Sequence, residues 1–256
     1  MKEITETCSL GLLCQSSKLL ETNNLKKCSY PFDWIFSTFE MIIDCIEDDF
    51  NKFLDKSYYK SINATKCGHS GYGRPNDMFN HRNPLDNEED YKYYIRCVER
   101  FRELKKSEEG KLFISTIVNM GRVTEGEIER VKDFNSKLNK YFKNYTLLMI
   151  FHKVGRNQNH TFKKYDNLDI LELHTLSRSG GAWFINNSDN EYLNRIIKER
   201  YFKKEEKVEK EENMEKEEKE AKTVKEEKKT KIQKTVRKRV NLNGIKNKKV
   251  WGLIFG

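Results

Sequence analysis

The chain has 256 residues, with 49 Lys and Arg against 40 Asp and Glu and a formal net charge of +9. Most of that excess charge lies after residue 202, so the basic balance says little about the surface of the first part, which holds most of the aromatic residues. Length and composition predict one domain over residues 1–202, a Lys/Glu-rich low-complexity tail over residues 203–240, and a short apolar-tipped C-terminus over residues 241–256.

The cysteine pattern argues against a secreted protein stabilised by disulfides. The cysteines show no paired CxxC spacing, and no apolar signal segment precedes them. They are Cys8, Cys14, Cys28, Cys45, Cys67 and Cys97. The longest apolar runs, such as residues 145–151, are too short to cross a bilayer. We therefore expect a soluble, intracellular protein with reduced thiols. No metal or cofactor is expected, because Cys67 and His69 lack a second ligand pair at suitable spacing.

A strand-to-helix turn near the N-terminus is the centre of the functional prediction. Residues 4–10 have the β-branched, partly alternating pattern of a strand, Gly11 permits a sharp turn, and leucines recur at helical spacing from Leu12 onward. If a helix begins near Leu12, the Cys14 sulfur lies beside unpaired backbone N–H groups at the positive end of the helix dipole. This environment favours the thiolate, so we expect a lowered Cys14 pKa and a nucleophilic side chain.

The segment SYPFDW, residues 29–34, breaks the helical pattern at its proline and places two large aromatic side chains around an acid. In one interpretation, Phe32 and Trp34 fill the core while Asp33 caps the next helix. In the other, Asp33 lies near Cys14 and either orients an imidazole or binds a substrate amide. The two interpretations are compatible for one residue.

Together these two motifs resemble a known family. "SLG", two residues and then Cys14, followed after one helix by "YPFDW", is similar to the opening signature of the putative papain-like cysteine peptidase family, found in bacteria and large DNA viruses. The likeness extends through "FNH" at residues 79–81, an Arg-rich amphipathic helix and a strand–helix–strand segment, to about residue 202. It implies a papain-like Cys–His arrangement in this chain.

The resemblance implies that Cys14 is the nucleophile, that His81 is the base, and that Asp33 fixes the imidazole. His81 follows an apolar pair that a short strand would bury, and it matches the isolated histidine of the family best. His69 and His174 remain alternatives for the base.

Candidate binding groups lie close to the same cysteine in the sequence. The backbone N–H groups of Leu13 and Cys14 are candidate oxyanion donors, since they face the place where negative charge develops. The Gln15 side chain is an alternative donor, and Trp34 is a candidate substrate contact. Asp189 is expected to cap the last helix, with the orienting acid as its alternative role.

The remainder of the first 202 residues alternates between strand and helix patterns. We predict helices over 87–106, 125–142 and 189–201, strands over 111–118, 145–154 and 168–176, a long irregular loop over 57–83, and a core position for Trp183. This alternation predicts a single α/β domain with a central, partly parallel sheet flanked by helices.

Two other classes of function stay open. A non-enzymatic binding module would hold Cys14 as a small buried residue. A nucleotide- or sugar-handling transferase would use the same kind of sheet, although no Gly-rich phosphate motif follows any predicted strand. An enzyme would act on a protein or peptide substrate that the sequence does not name.

The C-terminal part makes an independent prediction about partners. Residues 228–249 contain Lys and Arg but no acid, and an apolar tip follows them, a pattern that suits contact with nucleic acid or anionic lipid. The alternative is a charged tail that is a solvated helix or disordered, without a partner. The sequence does not indicate an oligomeric state.

Overall fold

A five-stranded, mostly parallel sheet forms the centre of the protein. The computed structural model describes residues 2–202, apart from the side chains of residues 74–77. In spatial order the strands are β1 (Ile4–Ser9), β5 (Gly110–Ile117), β6 (Tyr145–Val154), β8 (Leu168–Thr175) and β7 (Asn159–Tyr165). The first four are parallel, and β7 pairs antiparallel with β8 at the edge. The predicted α/β fold with a central, partly parallel sheet is confirmed.

Helices flank this sheet, and several begin at capping side chains. They are α1 (Cys14–Thr22), α2 (Phe39–Glu47), α3 (Asn51–Leu54), α4 (Glu88–Lys106), α5 (Glu125–Leu138) and α6 (Asn187–Tyr201). Thr38 caps α2, because its hydroxyl accepts a hydrogen bond from the Met41 N–H at 3.2 Å. At the start of α5, Thr124 and Glu127 form a capping box. Asp33 does not cap the helix that follows it, so that part of the interpretation is wrong, whereas the predicted core position of Phe32 is confirmed.

Phe32 anchors the SYPFDW segment in the aromatic core. This side chain is fully buried, and its ring centroid lies 5.5 Å from that of Phe101 and 5.8 Å from that of Phe50. Both contacts add aromatic packing to the burial of apolar surface. Because Phe32 is held in this way, the two residues after it, Asp33 and Trp34, are held at a defined position beside α1.

A second, three-stranded antiparallel sheet occupies the segment that the sequence predicted to be an irregular loop. Its strands are β2 (Tyr59–Asn63), β3 (Lys66–His69) and β4 (Arg74–Phe79), in that spatial order. The outer side of β4 meets the residues after the SYPFDW segment, since Ile35 bridges to Phe79 and the Phe36 N–H donates to the Met78 carbonyl at 3.0 Å. This pairing brings the end of β4, and therefore His81, to the same side of the domain as Trp34.

The C-terminal end of the described chain differs from the prediction at two residues. Helix α6 begins at Asn187, so Asp189 lies in its first turn and is not its N-cap. The buried carboxylate of Asp189 accepts hydrogen bonds from the N–H groups of Leu176 and Ser177, and these bonds connect α6 to the end of β8. Trp183, which was expected in the core, has 57% of its surface exposed.

Within residues 2–202, no helix is both long enough and apolar enough to span a membrane. The predicted Lys/Glu tail and the apolar tip lie outside the described residues.

Candidate active site

A tight turn precedes Cys14 and places it at the first residue of α1. Gly11 and Leu12 both have left-handed backbone angles, with φ values of 73° and 64°. The hydroxyl of Ser37 accepts a hydrogen bond from the Leu12 N–H at 2.9 Å, and a Cβ atom at Gly11 would collide with the same hydroxyl. The turn thus requires glycine at position 11. The helix begins at Cys14 and not near Leu12, as the sequence had suggested.

Among the described residues, no side chain caps the N-terminus of α1. Leu13 is the N-cap residue, and its side chain makes no capping hydrogen bond. The first N–H groups of the helix therefore have no intrahelical acceptor and carry the positive end of the helix dipole. Ser16 fixes this end to β5, because its hydroxyl lies 2.9 Å from the Thr116 hydroxyl and 3.2 Å from the Gly11 carbonyl oxygen.

The structure brings Cys14 and His81 into direct contact. Cys14 Sγ lies 3.4 Å from His81 Nε2, within hydrogen-bonding range for sulfur. Cys14 is only 5% exposed, whereas His81 is exposed at the end of the small sheet. Of the two alternatives for the base, His69 is fully buried with Nε2 3.0 Å from the Lys52 carbonyl oxygen, and His174 lies on β8.

The electrostatic setting of this pair favours the neutral forms of both groups. Burial raises the pKa of the Cys14 thiol, and this effect outweighs the backbone N–H of Cys14, which lowers the pKa. Although His81 as a whole is exposed, partial desolvation of its ring, together with the positive charge of Lys66, lowers the pKa of His81. The expected lowering of the Cys14 pKa is therefore wrong. Both shifts favour a thiol beside a neutral imidazole.

Trp34 forms one wall of the site and contacts His81 directly. The two rings meet edge to face, with centroids 5.9 Å apart and planes at 86°. Trp34 itself has a left-handed φ of 63°, an unusual conformation for a large side chain that the surrounding structure must hold in place. The ammonium group of Lys26 lies over the indole ring of Trp34, 5.2 Å from the ring centroid, in a cation–π contact.

Asp33 lies behind this wall and contacts Lys26 rather than His81. Its carboxylate is 1% exposed; Oδ2 lies 3.0 Å from Lys26 Nζ and accepts a hydrogen bond from the Tyr30 N–H at 3.1 Å. Lys26 also donates to the Ser17 hydroxyl of α1 at 2.7 Å. Burial raises the pKa of Asp33, and the nearby Lys26 opposes that rise. Within the described residues no hydrogen bond joins Asp33 to His81; Lys26 and Trp34 connect the two residues by contact.

Gln15 is buried beside Cys14 in a defined orientation. Its side-chain oxygen accepts a hydrogen bond from the Ser179 hydroxyl at 2.7 Å. The Ser179 backbone is held in turn by Asn119, which donates to its carbonyl and accepts from its N–H. Because the amide oxygen is engaged, the Gln15 amide nitrogen is the end that can donate to a ligand.

Two residues that support the site, Lys26 and His152, were not singled out from the sequence. Lys26 follows α1 as one of two consecutive lysines, and only the fold brings it to Asp33. His152 lies in the middle of a buried strand and orders the loop around Asn119, whose N–H donates to His152 Nδ1 at 3.1 Å. The other ring nitrogen of His152 lies 2.6 Å from the Thr175 hydroxyl. A histidine inside an apolar strand pattern was the only available signal.

Metal binding has no obvious location in the part of the chain that the structure describes. Among residues 2–202, no group of three or more His, Cys, Asp or Glu side chains could hold a metal ion.

Comparison with known proteins gives one match. The model of a family described as putative papain-like cysteine peptidase matches residues 5–69, which include the turn before Cys14, α1 and the SYPFDW segment. The matched segment ends before His81, so the extension of the likeness towards residue 202 remains a prediction. No curated protein and no solved structure matches the chain. Residues 5–69, which carry Cys14, Asp33 and Trp34, are thus similar to the putative papain-like cysteine peptidase family.

Proposed function

We propose that this chain is a cysteine peptidase, or a related acyl hydrolase, in which Cys14 is the nucleophile and His81 is the general base. The observation that carries the proposal is the 3.4 Å contact between Cys14 Sγ and His81 Nε2 at the N-terminus of α1. The family match supports it at the level of the family alone. The bond cleaved is a peptide, isopeptide or other acyl bond.

In the proposed reaction, His81 Nε2 takes the thiol proton while Cys14 Sγ attacks the substrate carbonyl carbon. The carbonyl π electrons move to oxygen, which forms a tetrahedral oxyanion. As this intermediate collapses, the C–N bond breaks and His81 gives its proton to the leaving nitrogen, so a thioester remains on Cys14. His81 then removes a proton from water, which attacks the thioester and releases the acid and the free thiol.

The N-terminus of α1 supports the oxyanion step of this mechanism. The N–H groups of Leu13 and Cys14 are the proposed oxyanion donors, because they lie at an uncapped helix start where partial positive charge accumulates. The amide nitrogen of Gln15 is a further donor, since Ser179 holds the amide oxygen. Such donors lower the barrier only if they reach the position of the oxyanion in the transition state.

One observation favours a second candidate, a non-enzymatic binding module. Cys14 is 5% exposed and its pKa is raised by burial, as for a structural cysteine. In that case the contact with His81 would be a packing contact and the thiol would be inert.

An acyl-transfer assay separates the two candidates. When the protein is mixed with p-nitrophenyl acetate near pH 7, we expect a burst of nitrophenolate equal to one acetyl group per chain, located on Cys14 by mass spectrometry. His81→Ala should slow the burst by about 100-fold, the lower end of general-base effects. His174→Ala is the matched control and should leave it unchanged. A burst that persists in Cys14→Ala would contradict the proposal and support the binding module.

A further inference from the structure

A cleft of about 390 Å³ runs along α1 on a different face from the one that Ser17 presents to Lys26. From α1 it is lined by Gln15, Lys18, Leu19 and Thr22. The opposite wall consists of residues 182–185 and the side of α6 that carries Asn187, Asn190 and Asn194. Because Gln15 lines the cleft and follows Cys14 directly, one end of the cleft lies beside the N-terminus of α1.

The opposite wall exposes two large apolar side chains on a braced turn. Trp183 is 57% exposed and Ile185 is 74% exposed. The turn between them is held by Asn190, whose side-chain oxygen accepts from the Phe184 N–H and whose amide nitrogen donates to the Phe184 carbonyl, both at 2.9 Å. The Gly180 N–H also donates to the Trp183 carbonyl at 2.8 Å. A rigid apolar surface of this kind costs little entropy when it receives a ligand.

The lining indicates the chemistry of that ligand. Lys18 is the only charged residue among the described lining residues, and its ammonium group pairs with Glu21 at 2.9 Å. The other polar groups are amides and a hydroxyl, namely those of Gln15, Thr22, Asn187, Asn190 and Asn194. A nucleotide or sugar phosphate would meet only this one cation, which is already paired with Glu21. Amide side chains beside an exposed indole suit an uncharged polypeptide segment, with its backbone on the amides and an apolar side chain on Trp183.

We propose that this cleft is a substrate subsite for a polypeptide segment with a large apolar side chain, which packs on Trp183 and Ile185 while the bond to be cleaved lies at Cys14. The inference rests on the proposed function, since it takes Cys14 as the reacting group. The polypeptide passes over Gln15, the residue common to the cleft and the oxyanion end of α1. Trp183 and Ile185 are therefore specificity-determining residues of the reaction.

The test uses three alkylating probes that differ in one side chain: the iodoacetyl derivatives of phenylalanine amide, glycine amide and aspartate amide. Each transfers its acetamide carbon to a thiol and releases iodide, so the rate at Cys14 is read by mass spectrometry of the full chain. We expect the phenylalanine probe to label Cys14 about tenfold faster than the glycine probe, the usual scale for one apolar group in a pocket. The aspartate probe should not exceed the glycine probe.

Trp183→Ala should bring the ratio of the phenylalanine to the glycine rate close to one. Ile62→Ala is the matched control, because Ile62 is 41% exposed on β2 and should leave the ratio unchanged.

Equal rates for the phenylalanine and glycine probes, with Cys14 still labelled ahead of the other cysteines, would overturn the subsite and leave the nucleophile. A faster aspartate probe would also overturn it, in favour of an acidic substrate. If no probe labels Cys14 ahead of the other cysteines, the proposed function fails and the subsite fails with it.

Discussion

The indole of Trp34 stands edge-on to the imidazole of His81, with ring centroids 5.9 Å apart and planes at 86°. Asp33 was expected to orient this imidazole, but within the described residues no hydrogen bond joins Asp33 to His81. Asp33 instead pairs with Lys26, with Oδ2 3.0 Å from Nζ. The Lys26 ammonium group in turn lies over the indole ring of Trp34, 5.2 Å from its centroid. Aromatic packing therefore holds one side of His81, and the charge pair of Lys26 and Asp33 supports Trp34.

Removing the Trp34 ring should loosen His81 and change its titration. In Trp34→Ala the imidazole becomes more hydrated, and since burial lowers the His81 pKa, that pKa should move up towards its ordinary value. The pH profile of Cys14 alkylation by iodoacetamide should shift upward accordingly. Loss of one aromatic contact should slow the reaction about fivefold at neutral pH.

Trp34→Phe is the conservative control and should restore most of the rate, because a ring is kept beside His81. An unchanged pH profile of Cys14 alkylation in Trp34→Ala would show that the indole does not position His81.

Breaking the Lys26–Asp33 pair should destabilise the domain. Asp33 is 1% exposed and Lys26 is 13% exposed, so Lys26→Met leaves a buried carboxylate without its cation. We expect a loss of about 3 kcal/mol in the free energy of unfolding, measured by urea denaturation. The double variant Lys26→Met, Asp33→Asn removes both charges and should recover most of that loss. Strictly additive effects of the two substitutions would contradict a coupled buried pair.

The buried His152 should make stability depend on pH. Burial lowers its pKa to about 4 in the folded protein, from 6.5 for an ordinary histidine. The unfolded chain therefore binds more protons between these values, and stability should fall as the pH drops from about 6.5 towards 4, by at most about 3 kcal/mol. Below pH 4 this contribution is already lost, and above 6.5 it is fully present. Thermal or urea unfolding over this range measures the effect.

His152→Gln is the control for that pH dependence. The variant should be less stable at neutral pH, because the contacts to Asn119 and Thr175 are disturbed, but it should show a flatter stability curve between pH 4 and 6.5. An unchanged slope would assign the dependence to other groups.

The basic run at residues 228–249, which lies outside the described residues, predicts binding to polyanions. Affinity for single-stranded DNA or for vesicles with anionic lipid should fall steeply with added salt, because binding releases counterions or depends on surface potential. A chain that ends at Phe202 should lose this binding and keep Cys14 reactivity. Binding that is insensitive to salt would indicate recognition through the apolar tip.

The N-terminal turn shows how much of the site could be predicted from local sequence. Gly11, the helical spacing after it and the position of Cys14 are local features. They can be predicted from the sequence because steric limits on the backbone restrict which residues form such a turn. The alternation of strands and helices likewise predicted the parallel sheet, since each element buries one face against its neighbours. The small sheet and the edge strand β7 were missed, because β2 and β7 are largely exposed and lack a clear apolar pattern, and β3 has only four residues.

Local sequence alone predicted Cys14 as the candidate nucleophile, and tertiary structure decided which residues surround it. His81 reaches Cys14 because β4 pairs with the segment after Trp34, a contact between residues distant in the sequence. The sign of the Cys14 pKa shift depends on how deeply the fold buries the thiol, and the helix terminus alone predicted the opposite sign. Trp183 was expected inside because it is apolar, yet the turn around it is bonded so that the indole faces the cleft. Burial and long-range contact are properties of the packed chain, and no periodicity of a single segment encodes them.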